Sequence, residues 1–323
     1  MILPSTQLTR RNLLGRCAGA VATATALGEI VPNVSMADPP EFPPGRFVDI
    51  HTHIGKVWTV TQELTVDVLL SWMDGNDIAQ AVVLPLVSPE SSSFPITSEF
   101  VLDATKAHRD RLIPFCCVDP RASYGGGVKV MIDLLRRYVD AGAKGFGEHK
   151  PGVKIDDPLN MTLYAACAEL KLPVLFHLDN VRNTDAPGLP GLENVLKQFP
   201  DLPLIGHGPG WWASISGDAT VADLAGKNES AVTPGGAIDV LMDRYPNLYG
   251  DLSAGSGASA LMRDMKFARE FILRWADRLM FGTDFLSPGQ EVPQFIVLRQ
   301  LNLPSEVQAK VFRDNARRLL LTN

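Results

Sequence analysis

Six side chains of the kinds that bind metals or move protons recur at one kind of position in this chain. Asp49-Ile50-His51-Thr52-His53, Glu148, His177, His207 and Asp284 each close or follow a short apolar run. In a strand, residues i and i+2 point to the same side. His51 and His53 would therefore face one way, with Val48, Ile50 and Ile54 turned toward the other face. Two imidazoles plus a carboxylate leave open positions on a divalent metal, which is what a catalytic site needs. A lone His-x-His says little. The same residue types at four further run ends say much more.

Those runs are the elements that must position the site. Phe47–His51, Ile78–Leu86, Leu112–Val118, Ala143–Glu148, Pro173–His177, Pro203–His207, Asn247–Leu252 and Arg278–Thr283 read as eight strands. Between them lie helical spacings such as Val128–Ala141, Met161–Leu170 and Ile238–Tyr245. Strands alternating with helices predict βαβ units and a parallel sheet. Right-handed crossovers would wind eight such units into a (β/α)8 TIM barrel, somewhat distorted. An open doubly wound sheet loses support because no Gly-x-Gly-x-x-Gly turn follows the first strand. In a barrel, the carboxyl ends of the strands form the active face, so the six groups would meet in one pocket.

With these residues in place, the chain resembles the amidohydrolase superfamily. The branch it is most similar to includes aminocarboxymuconate-semialdehyde decarboxylase. The resemblance rests on Val174-Leu175-Phe176-His177, Gly206-His207-Gly208, Phe281-Gly282-Thr283-Asp284 and the closing stretch Val311-Phe312-Arg313-Asp314-Asn315-Ala316-Arg317-Arg318-Leu319. It spans Arg46 to Leu320. It implies that His51, His53, His177 and Asp284 hold one divalent metal, zinc first among the choices, with His207 beside the substrate. Asp284 would alternatively be the base that takes a proton from a water on that metal, whose pKa such coordination lowers to ~7. His207 would polarise the substrate or shuttle a proton. Glu148 departs from the one-metal pattern. It is either a ligand bridging a second ion, with His177 and His207 moved to that ion, or a partner in a salt bridge. One ion is preferred to two.

The function expected is a metal-dependent hydrolase acting on a small-molecule lactone, amide or ester. A non-oxidative decarboxylase or hydratase on the same metal site is the alternative, and an inactive binding barrel the third reading. Trp211 and Trp212, after strand six, either wall the substrate pocket or pack the loop. Arg182, with Lys150 and Asn180, could clamp a carboxylate, though a solvated surface role is preferred. Ser253 and Ser256 lack a Gly-x-Ser-x-Gly elbow, so no serine nucleophile is expected. His149 should point away from Glu148, and His108 suits a solvated or capping role.

The ends and the bulk composition set the context. Arg10-Arg11 precede an Ala- and Thr-rich run, and Ser35-Met36-Ala37 offers a small-residue cleavage site. Residues 1–37 therefore read as a twin-arginine signal, 38–45 as a proline-rich linker and 46–323 as the barrel. A periplasmic or secreted enzyme follows, with no stable membrane span. The net charge of −6 disfavours nucleic acid as a partner. A homo-oligomer is left open. Four cysteines without a metal or disulfide spacing read as buried, inert thiols.

Overall fold

In the computed structural model, described for residues 47–226 and 230–321, eight strands run parallel in chain order around a ring, and Val153–Lys154 and Asn183–Thr184 pair in a separate two-stranded sheet. The eight are β1 (Phe47–Thr52), β2 (Ile78–Val83), β3 (Leu112–Pro114), β4 (Phe146–His149), β5 (Val174–His177), β6 (Leu204–His207), β7 (Leu248–Asp251) and β8 (Leu279–Met280). β1 to β3 pair in one sheet and β4 to β8 in another. The gaps between the sheets are closed by backbone bonds. Cys116 N–H donates to the Gly145 carbonyl at 2.9 Å, joining β3 to β4. Ile50 N–H reaches Phe281 O at 3.0 Å, and Asp284 N–H reaches His51 O at 2.8 Å, joining β8 to β1. The ring is thus a distorted (β/α)8 barrel. The signal and linker read at residues 1–45 lie outside the described residues. No helix among the described residues is long and apolar enough to cross a membrane.

The apolar residues divide into two clusters. The larger takes Phe47, Val174, Phe176, Leu204 and Phe281 against the helices. The smaller takes Val48, Ile50, Val82, Leu84, Ile113, Phe115, Leu175, Ile205 and Met280, and so fills the barrel interior. His177 and His207 follow Leu175 and Ile205 by two residues and share their inward face. Ala316 and Leu320 of the last helix, Asn315–Leu320, join this inner cluster. The histidines occupy the carboxyl end, so that helix enters at the amino end.

One expectation is corrected here. Val48 and Ile50 do not face the helices; they pack inside, and only Ile54 joins the outer cluster. The pairing of β1 with β2 shifts between Asp49 and Thr52. An irregularity of this kind resets the alternation, so Ile50 and the two histidines all serve the interior.

Four strands end short of the runs read from sequence, β2 at Val83, β3 at Pro114, β7 at Asp251 and β8 at Met280, and side chains explain the last of them. β8 stops at Met280 because Thr283 N–H donates to the Asp49 carboxylate at 3.0 Å, leaving the ladder. The helix expected at Met161 begins at Pro158, because the Asp157 side chain accepts the Leu159 N–H and proline suits the first helical position. Cys116, Cys117 and Cys167 are buried and free, and burial pushes the Cys116 thiol to about 12, which leaves it unreactive. Cys17 lies outside the described residues.

Candidate metal centre

Asp49 sets up the site from below. Its carboxylate accepts from His51 N–H at 3.0 Å, from Thr283 N–H at 3.0 Å and from the Thr283 hydroxyl at 2.5 Å. It thereby fastens the irregular end of β1 to the turn after β8. Asp284, at the next residue, has a left-handed backbone with φ 58°, which aspartate tolerates better than most residues. The turn brings its Oδ1 to 3.4 Å from both His51 Nε2 and His53 Nε2.

Four donor atoms converge. His51 Nε2 and His53 Nε2 are 3.2 Å apart, and Glu148 Oε2 lies 3.6 Å from the first and 3.4 Å from the second. With the two Asp284 distances, five edges of a four-cornered figure lie between 3.2 and 3.6 Å. A tetrahedral ion with bonds of about 2.0–2.2 Å has donor–donor edges of about 3.3–3.6 Å. The residues present therefore fit a divalent cation. The second ring nitrogens are committed elsewhere, as metal-ligating histidines require. His53 Nδ1 donates to the Leu84 carbonyl at 2.9 Å, and His51 Nδ1 donates to Asp251 Oδ2 at 2.7 Å.

The charges point the same way. Burial disfavours a charged His51, yet Asp284, Asp251 and Glu148 outweigh it and push its pKa well above the ordinary histidine value. His53 is raised too, because the hydrogen bonds to Asp284 and Glu148 overcome its burial. Burial works against an ionised Glu148, but Lys150 and His51 hold it well below the carboxylate range. The cluster is an excess of buried negative charge that draws protons onto its imidazoles. A metal cation answers the same demand.

The sequence-predicted residues sort as follows. His51, His53, Glu148 and Asp284 meet. His177 stands behind Glu148, with Nδ1 at 2.9 Å from Glu148 Oε1 and Nε2 at 3.0 Å from Asp179 Oδ2. Glu148 Oε2, within 3.6 Å of both His51 and His53 Nε2, stands where the resemblance leads one to expect His177. Three triplets have their donor atoms within 4.8 Å of one another: His51, His53 and Glu148; His51, His207 and Asp284; and Glu148, His177 and His207. His207 presents Nε2 at 3.5 Å from Glu148 Oε1. Burial and the neighbouring His51 lower its pKa, which keeps the ring neutral.

Three other placements correct the sequence reading. Trp211 and Trp212 do not wall the site: both are buried in the outer core. A Cβ on Gly206 would come within 2.4 Å of the Trp211 ring, so the ring packs on the outside of β6. Trp212 Nε1 donates to the Asp251 carbonyl at 3.2 Å. Lys150 is not on the surface. It is 6% exposed, with Nζ 2.5 Å from Glu148 Oε2. Arg182 sits one step back, its Nη1 at 2.6 Å from Asp179 Oδ2 and its Nε at 3.1 Å from the Glu90 carbonyl. His149 points away as expected, Nε2 donating to Asn160 Oδ1 at 2.8 Å.

Asp251 was missed. It closes β7 and touches both His51 and His207. The signal was available: an acid at the end of the seventh run, at the same address as the other five strand ends.

A parallel barrel carrying histidines and carboxylates at its carboxyl end defines a class of metal-site barrels. The chain belongs to the amidohydrolase family, whose model matches residues 48–321. Solved structures share the fold. One is an uncharacterized TIM-barrel protein from Bordetella bronchiseptica, 18% identical, covering 85% of this chain and 98% of that one at a TM-score of 0.60. Another is a probable 2-pyrone-4,6-dicarboxylic acid hydrolase from Acinetobacter baumannii, 13% identical over 85% and 98% of the two chains, TM-score 0.54. A third is a dihydroxybenzoic acid decarboxylase from Polaromonas with bound manganese, 14% identical over 85% and 96%, TM-score 0.53. No curated protein matches the chain.

Proposed function

We propose that the protein is a metal-dependent hydrolase of a small-molecule lactone, amide or ester, using one divalent ion, zinc by preference. The observation that carries it is the convergence of His51, His53, Glu148 and Asp284 donors, five of whose separations lie between 3.2 and 3.6 Å. A divalent cation there would supply Lewis acidity and lower the pKa of a water to ~7. The chain's own residues do the rest. Asp284, one-fifth exposed in its side chain, either lends Oδ1 to that donor set or uses its carboxylate to take a proton. His207 Nε2, held neutral, can accept or return one at the leaving group. The buried ring of apolar residues beneath excludes water from below.

Decarboxylation on the same donors is the second reading. The manganese-bound decarboxylase on this fold supports it. An aromatic wall would favour it, and the Trp211–Trp212 pair does not provide one. Metal analysis with a panel of lactones, amides, esters and aromatic acids separates the two. Hydrolysis of any of the first three that disappears with metal in His51→Ala/His53→Ala supports the hydrolase. Release of CO2 from aromatic acids alone would replace it with a lyase. Equal metal in wild type and the double variant would remove this donor set.

We further propose that residues 1–37 are a twin-arginine signal, that 38–45 link it to the barrel, and that the enzyme works in the periplasm or outside the cell. The paired Arg10 and Arg11 and the small residues before Asp38 support this.

A further inference from the structure

Asp251 Oδ2 is crowded by donors. His51 Nδ1 lies at 2.7 Å, His207 Nδ1 at 2.9 Å and the Ser253 hydroxyl at 2.6 Å. Its other oxygen, Oδ1, takes Ser253 N–H at 2.9 Å. A carboxylate is an acceptor only, so every group facing it must bring a hydrogen. The Ser253 N–H can only donate, and with Asp251 ionised both Nδ1 atoms and the hydroxyl must each turn a hydrogen to Oδ2.

We propose that Asp251 is the positioning residue of this site. Its one oxygen fixes the tautomer of the proposed metal ligand His51 and of the proposed proton carrier His207 together. With hydrogen held on Nδ1 of both rings, both Nε2 lone pairs face the centre. One is then free for the metal and the other for a proton. This rests on the metal-site reading above, but the tautomers exist with or without an ion.

Two further features hold Asp251 itself. Ser253 donates its hydroxyl to Oδ2, so its oxygen accepts the His207 Nδ1 hydrogen at 3.0 Å, shared with the carboxylate, which it braces on the side of the second ring. Gly282 gives the carboxylate its room: a Cβ there would lie 2.4 Å from Asp251 Oδ1 and 2.9 Å from Ser253 Cβ. The Asp251, Ser253 and Gly282 positions therefore serve one purpose, although none points into the centre. An outer partner that orients a ligand changes metal affinity by about 10–100-fold when replaced.

The test uses the full chain labelled with 15N-histidine. Long-range proton–nitrogen spectra are recorded without metal and with zinc, beside zinc affinity from chelator competition. Wild type should show hydrogen on Nδ1 of both His51 and His207 with and without zinc, and with zinc His51 Nε2 should carry none. Asp251→Asn must turn an amide N–H toward a donor whichever way it sits. It should mix the tautomers of both rings and weaken zinc about 10–100-fold. Ser253→Ala should keep both tautomers and stay within about threefold in zinc affinity, because Asp251 remains. Wild-type tautomers with unchanged zinc affinity in Asp251→Asn would overturn the proposal. So would tautomer loss in Ser253→Ala, which would give the role to the serine. If Asp251→Asn fails to fold, the wild-type spectrum decides: a ring without hydrogen on Nδ1 overturns the assignment. A wild type that binds no zinc but shows both Nδ1–H forms would overturn the metal reading and leave the positioning role standing.

Discussion

Replacing Lys150 by methionine separates the two partners that Glu148 can have. Glu148 Oε2 lies 2.5 Å from Lys150 Nζ and 3.4 to 3.6 Å from the His53 and His51 Nε2 atoms. The ammonium and a metal therefore compete for the same oxygen. Both side chains are buried, Lys150 at 6% exposure. Removing one member of a buried pair costs about 3–5 kcal/mol, because the other charge is stranded. Lys150→Met should thus lower the melting temperature of the chelator-treated protein by on the order of 10 °C. Zinc should restore much of the loss. At a hundredfold excess over Kd a ligand adds about 2.7 kcal/mol, and the variant's affinity should equal or exceed wild type once the ammonium is gone. The assay is thermal unfolding with chelator and across a zinc titration. A metal-free variant as stable as wild type, with zinc binding weakened tenfold or more, would refute the reasoning. Lys150 would then support the metal geometry and would not be the cation that occupies its place.

Other outcomes follow from named contacts. His207→Ala should leave metal content unchanged while kcat falls about 10²–10⁴-fold; a fall from two ions per chain toward one, shared by Glu148→Gln, would establish a two-metal site. His149 is buried against Asn160 and Tyr164, and burial lowers its pKa from 6.5 to about 4. The unfolded chain binds the proton first, so its contribution is intact above pH 6.5 and is lost as pH falls toward 4, about 3 kcal/mol in all. His149→Gln should flatten that part of the stability profile, and urea titrations at pH 7 and pH 4.5 would show an unchanged slope if burial were not the cause. Arg10→Lys with Arg11→Lys should trap precursor in the cytoplasm, as cell fractionation would show; undiminished exported protein would remove the twin-arginine reading.

The barrel was legible because its strands are buried apolar runs and its helices carry a clear period. The site was legible because a parallel barrel gathers its chemistry at strand ends, and His51, His53, Glu148 and Asp284 all sit there. What the sequence hid is pairing. Nothing local says that β1 slips between Asp49 and Thr52, so Val48 and Ile50 were given the wrong face. Nothing local says that Gly206 is bare in order to seat Trp211, so the tryptophans looked available to a substrate. Lys150 looks like a surface residue until β4 turns Glu148 toward it. Such errors concern which partner a side chain finds across the fold, which periodicity does not encode.

The last helix gives the reaction a direction of traffic. Ala316 and Leu320 fill the barrel from the end opposite the histidines, so that end is closed to a substrate. Whatever enters or leaves must use the carboxyl end, and a departing product occupies the path of the next substrate. Inhibition by product should accordingly be competitive with substrate, and enlarging either stopper residue should not alter it.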